Sequence, residues 1–153
     1  MSDLSDDERA AITHWAHYGQ VGEPVTERFI PDDDERARLA GFIRPQSGVW
    51  PDRFDIDQTR ALVNGFPRRD MEDKWVIYSD DLRADGTTTV HFHRSWTGLQ
   101  VLSVDLLVDE TGSSSIAARW EMDPDALNNP SEEFARTSFS EVCRWVLGMR
   151  PAT

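Results

Sequence analysis

The chain has 153 residues, a formal net charge of −12 and a single lysine, Lys74, among 16 basic residues. That length suits one domain of about 100–200 residues with its own core, and 39% hydrophobic with 10% aromatic residues excludes a disordered chain. The acid excess excludes a basic footprint for duplex nucleic acid and disfavours anionic membranes, and no run reaches the ~18 apolar residues of a membrane span.

The lone Cys143 forbids an internal disulfide, which fits a reducing compartment. Met1 to Arg9 is acidic without an apolar run, so no secretory signal is expected and the expected location is cytoplasmic.

Ser5-Asp6-Asp7-Glu8 has capping-box spacing and predicts a first helix ending near Gly19, with Ala11, Ile12, Trp15 and Ala16 on one face. A loop with Gly22 and Pro24 follows. A second helix is expected from Asp32 to Gly41, burying Ala37, Leu39, Ala40 and Phe42. Arg44 to Phe54 holds Pro45, Gly48 and Pro51 and reads as an irregular connection. Asp57 then caps a short helix closed by Gly65.

After Asp70 the helical period gives way to alternation. Strands are predicted at Lys74–Tyr78, Thr87–Trp96, Leu99–Val108 and Ser115–Met122, with turns at Asp85-Gly86, Thr97-Gly98 and Thr111-Gly112. Ser131 starts a last helix that runs to about Leu147. The expected fold is a single α+β domain: a helical part over 1–65, a four-stranded antiparallel meander over 70–123 and a C-terminal helix over 130–149, with helices packed on one sheet face.

A two-residue turn at Asp85-Gly86 sets Tyr78 opposite His93, Asp80 opposite His91 and Trp75 opposite Trp96. Alternation then gives two faces. Trp75, Ile77, Phe92, Arg94 and Trp96 form a core face. Lys74, Val76, Tyr78, His91, His93, Ser95 and Thr97 form a polar one.

On that polar face the His-x-His pair His91 and His93 has spacing that suits a metal, with Asp80 as third ligand. Two ligands without a closing pair leave no metal or other cofactor expected. In His93-Arg94-Ser95-Trp96-Thr97-Gly98, Arg94 can clamp an anion, Ser95 and Thr97 can donate, and Trp96 can stack on a base or sugar. The bland reading has Arg94 stacked on Trp75 or Trp96 and Thr97-Gly98 only turning the chain. Ser95 and His93 make no nucleophile–base pair, because same-face neighbours on a strand stand about 7 Å apart. Cys143 reads as a core residue. His14 and His17 read as a solvated helix face, and Arg68 to Lys74 as a charged loop.

Met71-Glu72-Asp73-Lys74-Trp75 together with His91-Phe92-His93-Arg94-Ser95-Trp96-Thr97-Gly98 resembles a family of small microbial proteins associated with the ADP-ribosylglycohydrolases. The resemblance covers about residues 66–108. Lys74, Trp75 and the run from His93 to Gly98 match. His91 is not required to be histidine there, and the family member is usually shorter. The resemblance labels a family and fixes no reaction.

The leading expectation is a binding domain for an anionic small molecule of nucleotide or ADP-ribose type, held by Lys74, Tyr78, His93, Arg94, Ser95, Trp96 and Thr97. Alternation points Arg94 away from His93, so Arg94 joins only if the strand bulges. One alternative is a protein-interaction module with an acidic docking surface. The other is a hydrolase using His93 as general base.

Overall fold

The computed structural model describes residues 27–67 and 73–149. The helix expected before Gly19, with His14 and His17, and the charged residues 68–72 lie outside these.

In chain order the elements are α1 (Asp33–Arg38), β1 (Pro45–Gly48), β2 (Arg53–Phe54), α2 (Ile56–Asn64), β3 (Trp75–Ser79), β4 (Thr87–Arg94), β5 (Gln100–Asp109), β6 (Gly112–Glu121) and α3 (Glu132–Trp145). The fold is mixed α+β. Its antiparallel sheet has six strands rather than four, in the order β1-β6-β5-β4-β3, with β2 also paired to β6. The two extra strands lie in the Pro- and Gly-containing segment expected to be irregular. Both are short, and β1 is almost wholly exposed, so neither leaves a hydrophobic alternation to read.

Glu121 fixes the approach to β1. It is 1% exposed. Its Oε2 accepts from the Ile43 amide at 2.8 Å and its Oε1 from the Arg44 amide at 2.7 Å, while the Asp123 amide adds a third bond at 3.2 Å. These backbone donors satisfy a carboxylate that burial would otherwise penalise.

The core lies on one face of the sheet. Ile77, Val90, Phe92, Leu102, Val104 and Trp120 meet Leu62 of α2 and Phe139 and Val142 of α3. Trp50 stacks on Trp120 at 5.4 Å, and Phe139 meets the Phe92 ring edge-on at 5.6 Å. Asp55, not Asp57, caps α2, because Asp55 and Gln58 form a reciprocal capping box. Ser131 caps α3.

α1 departs from expectation. It is short, none of its residues is buried, and it lies over the polar face rather than with α2 and α3. Ala37 and Ala40 are exposed, and Leu39 and Phe42 only half-buried. The segment is tied at its ends instead. Arg28 donates to the Ser79 carbonyl at 2.6 Å, and the Ala40 amide donates to the Gly98 carbonyl at 2.9 Å.

The β3–β4 register differs by two from the sequence expectation. Trp75 faces Arg94, Val76 faces His93 and Tyr78 faces His91. The turn holds three residues, Ala84 to Gly86, between the bonded Arg83 and Thr87, with Gly86 at φ +85°. One residue of shift arises there, and a second between Arg83 and Asp80, which already bonds Thr89. A two-residue slip preserves parity, so the division into core and polar faces stands although the partners change. Trp96 is corrected: it lies in the turn beyond β4 and is 63% exposed.

Candidate functional site

The polar face is built by alternation along β3 to β6. Tyr78, His91, Ser103 and Arg119 form one cross-strand row, continued by Ser47 of β1. Five strands at about 4.8 Å each give the row a span of about 19 Å.

Tyr78 organises one end. Its ring stacks on His91 at 4.7 Å and on His93 at 5.8 Å. The Arg36 guanidinium of α1 lies over the same ring at 5.6 Å, a cation–π contact. Burial, reinforced by Asp80, raises the Tyr78 phenol above its ordinary pKa.

His91 commits both nitrogens. Nε2–H donates to Asp80 Oδ1 at 2.9 Å, and Nδ1 accepts from Gln100 Nε2 at 2.8 Å. Asp80 thus stands where the metal reading put it, yet it acts as a hydrogen-bond partner and also holds Arg83. Among the described residues no group of three or more His, Cys, Asp or Glu is placed to hold a metal ion. Burial lowers the His91 pKa against the opposing pull of Asp80, and Arg119 lowers it further.

His93 carries the opposite tautomer. Nδ1–H donates to the Gly98 carbonyl at 2.9 Å, leaving Nε2 as an acceptor. Burial pushes its pKa down to about 4, so the ring is neutral at pH 7.

The other residues nominated from sequence shape the β4–β5 turn. Ser95 Oγ donates to the Asp73 carbonyl at 2.5 Å, and Thr97 Oγ1 accepts from the Leu99 amide at 3.2 Å. Arg94 turns to the opposite face from His93, with its guanidinium 5.0 Å over the Trp75 ring. The ladder does break register between Phe92 and His93, but this does not bring Arg94 round. Lys74 lies on the polar side and rests its Nζ 4.7 Å over Trp96. The structure therefore gathers Tyr78 and His93, sets Lys74 with Trp96 at the strand end, and leaves Arg94, Ser95 and Thr97 tied into the turn.

Arg36 and Arg119 escaped the sequence reading. Arg119 comes from a distant strand, and Arg36 from a helix expected to pack by its alanines. No described carboxylate forms an ion pair with either, whereas Arg28, Arg38, Arg53, Arg60, Arg83 and Arg136 each hold an aspartate or glutamate.

Cys143 is buried in α3, and burial raises its thiol pKa well above the usual range. It is a core residue, not a nucleophile. A cleft of about 440 Å³ lies between α2 and the β5–β6 turn, lined by Ile56, Val63 and Val108 with Arg60 and Glu110 at its rim. Its lining shares no residue with the polar face.

Comparison with protein-family models, curated proteins and solved structures gives no match.

Proposed function

We propose that the chain is a small binding domain whose polar sheet face receives an anionic small molecule of nucleotide or ADP-ribose type. One observation carries the reading: Arg36 and Arg119 flank the Tyr78–His91 stack without an ion pair to any described carboxylate, in a chain with 28 acidic residues. Guanidinium groups bind phosphate and carboxylate by forked hydrogen bonds. Arg36 over Tyr78 offers charge and a flat surface together, and Arg119 stands two strands from His91, about 10 Å away. Lys74 adds positive charge at the far end of β3. Distant acidic residues are screened over about 10 Å at 0.1 M salt, so the local donors decide.

Hydrolysis with His93 as base is less favoured. Burial makes the ring a weak base at neutral pH, and its Nδ1–H is held by the Gly98 carbonyl rather than by a carboxylate that would strengthen it.

Calorimetric titration with ADP, ADP-ribose and pyrophosphate tests the reading. Binding is expected, and Arg36→Ala and Arg119→Ala should each weaken it by about tenfold or more, the value of a charged hydrogen bond. Absence of binding at millimolar concentration, or affinity indifferent to both substitutions, overturns it. Capture of a basic protein through the same face would support a docking module instead.

A further inference from the structure

His93 is 3% exposed and its Nδ1–H is spent on Gly98. Its Nε2 is buried and receives no hydrogen bond from any described residue. A buried acceptor gives up its water and gains nothing until a donor arrives. Gln100, which faces it on β5, directs its amide nitrogen to His91 instead.

Two contacts tie α1 and the residues just after it to the groups that hold the imidazole. The Gly98 carbonyl that accepts from His93 also accepts from the Ala40 amide. The Tyr78 ring that stacks on His93 also lies under Arg36. One partner is in α1 and the other lies two residues beyond it, so the segment 36–40 rests on both groups that hold His93. α1 buries none of its own residues, and such weakly packed elements open at low free-energy cost.

We infer that His93 Nε2 is the recognition acceptor of the polar face, uncovered as α1 lifts, and that it selects anions carrying an N–H or O–H donor over bare inorganic anions. The inference rests on the anion-binding reading above. The ligand class is an anion with a hydroxyl, amide or amine near its charge. Arg119 takes the charge in the opened state, Arg36 joins it as α1 settles back over the bound anion, and His93 takes the donor. A neutral imidazole suits this role because its Nε2 lone pair is not taken up by a proton.

The test compares ADP-ribose with sulfate, which carries no hydrogen-bond donor, on the intact chain and on His93→Asn. Asparagine can keep an N–H near the Nδ1 position for Gly98 but has no atom at Nε2. ADP-ribose affinity should fall about tenfold, the size of a lost neutral hydrogen bond, while sulfate affinity holds within about twofold. Equal losses for both compounds, or no loss for ADP-ribose, overturn the inference. The 15N resonance of His93 Nε2 provides a readout that needs no variant. It should lie at the position of a free acceptor in the protein alone and move upfield when ADP-ribose binds. A resonance already shifted by a donor in the protein alone overturns the inference. Binding of neither compound overturns the anion reading by itself, and His93 then stands or falls on that resonance.

Discussion

His91 and His93, two residues apart on β4, hold opposite tautomers: His91 carries its hydrogen on Nε2 toward Asp80, and His93 carries its own on Nδ1 toward Gly98. Both rings are partly or fully withdrawn from water, and burial lowers both pKa values, that of His93 to about 4. In the unfolded chain His93 titrates near 6.5. Between about pH 4 and 6.5 the unfolded chain therefore binds a proton that the folded chain refuses, so stability rises with pH across that window. It is full above about 6.5 and falls by about 3 kcal/mol as pH drops through 4, because each pH unit separating the folded from the unfolded pKa is worth about 1.36 kcal/mol. Urea denaturation at pH 7, 5.5 and 4 should show a shallower decline for His93→Asn than for the parent. Parallel curves would show that His93 is not the group responsible.

Trp75, under Arg94, and Trp96, under Lys74, differ in fate. Trp75 is 2% exposed within the core, and Trp96 is 63% exposed in the turn. Trp75→Ala should cost about 3–5 kcal/mol, the usual loss for a buried aromatic. Trp96→Ala should stay within about 1 kcal/mol, since the side chain is largely in solvent and its cation–π contact with Lys74 is an exposed one. Equilibrium denaturation measures both, and equal costs would contradict the placement.

The core and polar faces of the β3–β4 hairpin were legible because Trp75, Ile77, Phe92 and the two histidines alternate strictly. Faces depend on parity, and a slip of two does not disturb it. The partners were not legible: Asp85-Gly86 marks a turn in sequence, but nothing there distinguishes a two-residue loop from the three-residue loop that forms. Trp96 misled for a related reason. Its spacing continues the alternation of β4, yet Gly98, at φ +74°, ends the strand before it. At the site, Tyr78 and His93 were visible as neighbours on one face. Arg36 and Arg119 were not, since their contribution depends on where α1 lies and on a strand pairing more than 25 residues away in sequence.

Glu121 should behave as a backbone clamp. Glu121→Ala strips the acceptor from the amides of Ile43, Arg44 and Asp123, in a site with little access to water. Bonds to a charged acceptor are worth about 1.5–3 kcal/mol each in favourable cases, and partial relaxation makes the total smaller than their sum. A loss of about 3 kcal/mol or more is expected in denaturation. Glu121→Gln should recover only part of it, because its amide nitrogen would face a backbone N–H. Hydrogen exchange supplies a local check: the Ile43 and Arg44 amides should lose protection in both variants. Undiminished protection would assign the anchoring of β1 to its pairing with β6 alone.

Gly98→Ala tests the tie between α1 and the sheet. Gly98 has φ +74°, a conformation that costs an L residue about 1–2 kcal/mol. A Cβ there would also collide with the Arg38 carbonyl at the end of α1. The sheet cannot give way easily, because the Gly98 amide bonds the Arg94 carbonyl and its own carbonyl accepts from His93 and Ala40. The segment 38–40 is the side that can move, since α1 has no buried residue to hold it. The substitution should therefore release the Ala40 amide and lift α1 while the core survives. Hydrogen exchange should show loss of protection at Ala40, with the Phe92 and Leu102 amides unchanged. Arg36 should leave the Tyr78 ring at the same time, which a change in the Tyr78 ring-proton shifts would report. Retained protection at Ala40 would mean that the Ala40–Gly98 bond survives the added methyl and that the close approach of Arg38 is not what demands glycine. Loss of protection throughout β4 and β5 would mean that α1 is part of the cooperative core and not a detachable cover.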